Sequence, residues 1–111
     1  MPIRKNPLIN NEIFHVFNKT IDGKTPFANN YYANEFYERL IYYRSTQSIR
    51  SFSKLSKLTS EDLQQVKVDI MVPKYFQVEV LNYSLMPNHY HLLVKQLKDD
   101  GIKNLISNTT N

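Results

Sequence analysis

Apolar and polar positions alternate along the chain in two distinct rhythms. Residues 13–17 read Ile-Phe-His-Val-Phe, a strand pattern with Ile13, His15 and Phe17 on one side and Phe14 and Val16 on the other. Both sides are largely apolar, which predicts a central strand. From Asn29 or Asn30, either able to cap a helix, the rhythm changes. Ala33, Phe36, Tyr37, Leu40 and Tyr43 recur at three and four, predicting a helix to about Arg44 with one apolar side. Thr59 or Ser60 with Glu61 and Asp62 starts another, on which Leu63, Val66 and Ile70 share a face until Pro73 stops it. Period two returns from Tyr75 to Leu85. There the apolar phase shifts from Phe76, Val78 and Val80 to Leu81, Tyr83 and Leu85, predicting a bulge or a strand buried on both faces. Pro87-Asn88 is a tight-turn signal that joins this strand to the next, Tyr90 to Val94, as a hairpin. Asp99 or Asp100 then caps a helix with Ile102, Leu105 and Ile106 as its apolar stripe.

The order is therefore strand, helix, inserted helix, strand, turn, strand, helix. It predicts an α+β fold of ferredoxin-like type, an antiparallel sheet with helices on one face and lacking only its fourth strand. The 111 residues form one domain of common size, and 41% hydrophobic content suffices for a core. Cysteine is absent, which excludes disulfides and thiolate metal sites and suits a reducing interior. No run approaches a membrane span and no charged-then-apolar leader opens the chain, so a cytoplasmic protein without a membrane partner is expected. The formal net charge of +4 permits nucleic-acid binding without requiring it. Met1 to Asn10, with Arg4 and Lys5, reads as an extended lead-in, and Asp22-Gly23-Lys24 as a loop. Between Arg39 and Ser60 no acidic residue occurs, while Arg39, Arg44, Arg50, Lys54 and Lys57 do, interleaved with serines and Phe52. A phosphate-tracking surface has that composition, and so has a solvated loop.

The chemically distinctive stretch is Tyr83 to Gln96, where His89 and His91 stand one residue apart on the second hairpin strand. Alternation sends both imidazoles, with Leu93, to one face, and Tyr90, Leu92 and Val94 to the other. Two imidazoles converging from a rigid strand suit a divalent metal, with a third ligand drawn from elsewhere in the fold. A pair of half-exposed polar residues is the plainer reading. His15, between apolar neighbours, reads as a core histidine with one hydrogen bond, or else as a group beside the metal or DNA.

The string Leu85-Met86-Pro87-Asn88-His89-Tyr90-His91-Leu92-Leu93-Val94 resembles the His-hydrophobic-His (HUH) signature of single-tyrosine transposases, specifically the REP-associated branch related to very small insertion sequences. Phe14-His15-Val16-Phe17-Asn18-Lys19 resembles the first strand of that family, usually His-Val-x-Asn-Arg-Gly, with Lys19 and Thr20 replacing Arg and Gly. Asp99 to Asn111 resembles the helix after the HUH strand, so the likeness runs from about Glu12 to the end.

The resemblance implies the ferredoxin-like fold and cleavage and rejoining of single-stranded or hairpin DNA through a phosphotyrosine intermediate. It implies Mg²⁺ or Mn²⁺ on His89 and His91, and DNA contacts near His15, Asn18 and Lys19, joined by Arg44, Arg50 and Lys54 of the basic segment. Lys19 cannot make the bidentate phosphate contact of the family arginine. In the family a further strand and a tyrosine-bearing helix follow. Here all eight tyrosines lie at or before the HUH strand, so no catalytic nucleophile is assigned and the chain is expected to be the inactive front portion of a transposase domain. An unpaired sheet edge predicts a homodimer. Two other functions fit the same residues: a non-catalytic single-stranded nucleic-acid-binding module on a ferredoxin-like sheet, and a structural protein with an incidental histidine pair.

Overall fold

A computed structural model of the chain describes residues 8–19 and 24–110. Arg4 and Lys5 of the lead-in and Asp22-Gly23 of the expected loop lie outside them. The chain runs β1 (Ile13–Lys19), α1 (Asn30–Tyr43), α2 (Ser60–Asp69), β2 (Val78–Met86), β3 (His89–Gln96) and α3 (Gly101–Thr109), with short 3-10 turns at Pro26–Ala28, Phe52–Lys57 and Pro73–Tyr75. It is an α+β fold on a three-stranded antiparallel sheet of order β1-β3-β2. β3 is central. β1 and β2 therefore run parallel to each other on either side of β3, a split strand-helix-strand arrangement.

β1 is an edge strand among the described residues, which corrects the expectation of a central one. Its apolar residues are divided: Phe14 and Val16 are half-buried against the core, whereas Ile13 and Phe17 point outward and remain exposed. Apolar character on both faces here reflects an uncovered apolar surface and not burial on both sides. The phase shift in β2 is a bulge, with the register against β3 slipping between Val80 and Asn82 around Leu81. β2 starts at Val78, later than the pattern suggested, because Pro73–Tyr75 forms a 3-10 turn.

α1 and α3 pack on the sheet face bearing Tyr90, Leu92 and Val94. The core comprises Phe36, Leu40, Tyr42 and Tyr43 of α1, Ile70 at the end of α2, those three strand residues, Val78, and Ile102, Leu105 and Ile106 of α3. On α1 Tyr42 takes the buried place expected of Tyr37, which is exposed. Tyr42 is held there by hydrogen bonding, its hydroxyl donating to Arg50 O at 2.6 Å, while Tyr43 Oη accepts from Phe52 N at 2.8 Å. Asn29 caps α1, accepting from Tyr31 N at 2.8 Å, and Thr59 caps α2, accepting from Asp62 N at 3.2 Å. Neither Asp99 nor Asp100 caps α3 through its side chain. Asp100 occupies the N-cap position in a left-handed conformation (φ 60°) and only its carbonyl is used, by Asn104 N.

Two buried glutamines join the layers. Gln96 Nε2 donates to Leu8 O (3.1 Å) and Asn10 Oδ1 (2.9 Å), and its Oε1 accepts from Ile102 N at 3.2 Å. Gln77 Nε2 donates to Tyr43 O at 2.8 Å, and its carbonyl accepts from Leu97 N and Lys98 N. The end of the lead-in is thus fastened to β3 and α3.

Candidate metal and nucleic-acid face

The sheet face opposite α1 and α3 carries the histidines. Opposed residues on antiparallel strands share a face, so the register places Ile13 with Lys95, His15 with Leu93, Phe17 with His91 and Lys19 with His89, and adds Ser84 and Met86 from β2. The face is apolar and wet together. Ile13, Phe17, Met86 and Leu93 are exposed, as is Leu81 at the bulge.

The imidazoles form a cluster of three. His89 and His91 have ring centroids 5.3 Å apart and nearly perpendicular planes, at 79°. Two imidazoles on one first-row ion, bound at about 2.0–2.1 Å, have centroids roughly 5 Å apart, a separation close to that of this pair. Phe17 packs against both rings, 5.5 Å from His89 and 4.8 Å from His91 by centroid. His15 is not a core histidine. It is exposed on the same face, its ring parallel to that of His91 within 2°, with Nε2 2.9 Å from His91 Nδ1. His89 Nδ1 lies 2.8 Å from Asn88 Oδ1. Among the described residues no group of three His, Cys, Asp or Glu side chains is arranged to hold a metal ion. His15 Nε2 thus meets Nδ1 of His91, and Asn88 Oδ1 meets Nδ1 of His89.

The expected DNA-contacting residues are not brought together. His15 and Lys19 stand on the histidine face, but Asn18, opposite Tyr90, leaves the other side of β1. Arg44, Arg50 and Lys54 follow the C-terminal end of α1, where Arg44 O and Tyr43 O bond Gln77 at the start of β2. The N-terminal end of α1 adjoins the hairpin turn through Phe27 N and Pro87 O. Fourteen helical residues span about 21 Å, which separates the basic segment from His89 by most of the sheet. Arg50 and Lys54 are exposed. Arg44 is packed, its guanidinium 4.3 Å from the Phe76 ring centre and its Nη2 3.1 Å from Met71 Sδ, and burial lowers its pKa, with Tyr37 opposing.

No described tyrosine stands on the histidine face. Tyr83, the nearest in the hairpin, pairs with Leu92 on the helix side, its ring 5.4 Å from Tyr37. Tyr90 is buried beneath the sheet, and the rest lie on α1 or in the turn before β2. That helix side also holds a cavity of about 870 Å³, lined by Asn18, Phe27, Arg39, Tyr90 and Thr109 among others and by none of the histidines. The Tyr90 hydroxyl and Thr109 Oγ1 are buried and make no hydrogen bond of good geometry among the described residues. Burial raises the Tyr90 pKa, and the Asn18 side chain works against that rise.

The sequence pattern placed His15 beside the site as the alternative to a core histidine, and it did not mark Phe17 or Asn88 as members of the cluster. The signal was the parity of Ile13, His15 and Phe17, which places all three on one face once that face is known to be open. No helix among the described residues is long and apolar enough to cross a membrane. No protein-family model, curated protein or solved structure matches the chain.

Proposed function

We propose that this chain is the sheet-bearing part of a single-tyrosine transposase domain, working on single-stranded or hairpin DNA in the cytoplasm. The observation that carries the reading is the placement of His89 and His91 side by side on the helix-free face of the central strand, immediately after the turn. The strand order β1-β3-β2 supports a ferredoxin-like arrangement, in which a further strand would pair with the edge of β1 that is unpaired among the described residues. The same edge is the surface through which two copies would form a dimer.

His89 and His91 would hold Mg²⁺ or Mn²⁺, which supplies charge stabilisation at a scissile phosphate. Lys19, opposite His89, stands where it can meet the phosphate backbone, and Phe17 offers a ring to an unstacked base. In the implied reaction a tyrosine oxygen forms a bond to phosphorus as the 3′-oxygen leaves, giving a 5′-phosphotyrosine and a free 3′-hydroxyl. One phosphodiester is exchanged for another, so rejoining requires no ATP. An attacking hydroxyl must come within about 3–3.5 Å of phosphorus, in line with the leaving group, and no described tyrosine stands on the histidine face. The present chain therefore forms no covalent adduct.

Calorimetric titration with Mn²⁺ tests the reading. Weak binding that is abolished in the His89→Ala, His91→Ala double variant is expected, and binding unchanged by the double variant would refute it. A non-catalytic nucleic-acid module is favoured by the exposed apolar residues beside Lys19 and Lys95. It predicts single-strand affinity that is indifferent to Mn²⁺ and to the double variant.

A further inference from the structure

A histidine ligates through a nitrogen that carries a lone pair, and which nitrogen does so is decided by the hydrogen bond the other one makes. At His89 the partner is an amide oxygen, which only accepts. Asn88 Oδ1 at 2.8 Å therefore requires His89 Nδ1 to carry the proton, leaving Nε2 with its lone pair. The amide precedes the ligand directly and stands in the two-residue turn, so its reach is set by the hairpin.

At His91 the partner is a third imidazole. The 2.9 Å between His15 Nε2 and His91 Nδ1 holds one proton, and the near-parallel rings direct the two lone-pair axes toward each other. If the proton sits on His91, its Nε2 is a ligand. If it sits on His15, His91 carries its proton at Nε2 and cannot ligate. A cation at Nε2 selects the first arrangement, with His15 as acceptor.

We infer that Asn88 and His15 are positioning residues which, by accepting the Nδ1 protons of His89 and His91, present the two Nε2 atoms together as one ligating pair. The inference rests on the metal reading proposed above for the same pair, and extends it from the two ligands to the groups that set their tautomers. β1 is assigned a purpose in this arrangement. Its pairing with β3 brings His15 to the back of His91, where a side chain from β3 itself cannot reach.

The test uses the whole chain labelled with ¹⁵N at mildly alkaline pH, where ordinary imidazoles are neutral. Without metal, His89 should be protonated at Nδ1, and a scalar coupling across the shared proton should link His15 Nε2 to His91 Nδ1. Asn88→Ala should redistribute the His89 proton between its nitrogens, and Asn88→Asp, which keeps an acceptor, should not. Mn²⁺ affinity should fall about 10- to 100-fold in Asn88→Ala and in His15→Phe, while His15→Gln, again an acceptor, restores most of it. His15→Phe retains a ring beside His91, which separates loss of the acceptor from loss of packing.

A His89 protonated at Nε2 in the wild-type chain would overturn the inference, as would His15→Phe binding Mn²⁺ like the wild type. If the His89→Ala, His91→Ala variant binds Mn²⁺ unchanged, the metal reading fails instead. The tautomer and coupling measurements still decide whether Asn88 and His15 set the proton positions.

Discussion

Replacing Gly101 by alanine sets two opposed effects against each other, and distances in the fold decide which prevails. Alanine is favoured over glycine in a helix by about 1 kcal/mol, and Gly101 opens α3. A Cβ at this position would stand 2.2 Å from the carbonyl oxygen of Gln77 and 3.2 Å from Val78 Cγ1. Real Cβ contacts do not fall below 3.0 Å, so helix and carbonyl must part by at least 3.0 − 2.2 = 0.8 Å. Neither side yields easily. Gln77 is held by its own N–H on Arg44 O, its side chain on Tyr43 O, and two donors on its carbonyl, Leu97 N at 3.0 Å and Lys98 N at 3.2 Å. α3 is seated by Ile102 and Leu105, both almost fully buried.

Losing the two bonds to the displaced carbonyl costs about 1 kcal/mol each, and overpacking adds about 1–3 kcal/mol. Less the helix gain, the expected destabilisation is about 2–4 kcal/mol. With a urea slope of about 1.5 kcal/mol per molar for a domain this size, the midpoint should fall by roughly 1.3–2.7 M. Chemical unfolding of the two proteins side by side measures it. A midpoint unchanged or raised in Gly101→Ala would mean that the approach of α3 to Gln77 is not what selects glycine.

Gln96→Leu should cost about 2–4 kcal/mol in the same assay, because three hydrogen bonds are lost and the buried Ile102 N–H is orphaned. A loss under about 0.5 kcal/mol would show that leucine packing compensates. Arg44→Met, which keeps an unbranched stem over Phe76, should change stability by less than about 1 kcal/mol, and its single-strand affinity should match the wild type. Lys19→Ala, by contrast, should flatten the salt dependence of that affinity by about 0.7 in log–log slope, the signature of one lost phosphate contact. Equal slopes for Lys19→Ala and wild type would remove Lys19 from the DNA surface. Tyr90 ionises less readily folded than unfolded, so above pH 10.0, its ordinary pKa, proton loss favours the unfolded chain and stability falls as pH rises. Tyr90→Phe should weaken that alkaline loss while changing stability at neutral pH by less than about 1 kcal/mol, since the hydroxyl lies near the Asn18 side chain but makes no hydrogen bond of good geometry among the described residues.

Much of the fold follows from period alone. Helices were expected where they stand because capping residues such as Asn29 and Thr59 precede apolar residues spaced at three and four, and both caps make their bond. The bulge at Leu81 was visible because period two cannot change phase without an extra residue. Polar residues mislead more. Gln77 and Gln96 carry no apolar signal, yet both are buried, because backbone groups of the lead-in, α1 and α3 need partners where these elements meet the sheet. Arg44 reads as part of a basic patch, but an aromatic ring and a thioether lie within its reach, and the stem packs.

The site divides along the same line. That His89 and His91 share a face is a property of one strand and follows from alternation within it. What stands beside them depends on pairing between strands, and sliding β1 against β3 by one residue would carry His15 to the helix side and bring Phe14 and Val16 outward. Nothing in Ile13-Phe-His-Val-Phe17 excludes that slip, since both of its faces are apolar. The register is settled from outside the strand. Glu12 O accepts from Gln96 N, Asn11 N donates to Gln96 O, and Gln96 Nε2 holds Leu8 O, so the entrance to β1 is fixed to the end of β3 before the strand begins. Four residues further, Phe17 falls opposite His91 and His15 reaches its Nδ1. The identity of the third histidine's neighbour is thus determined by a buried glutamine at the far end of β3, through contacts that no local reading of either strand contains.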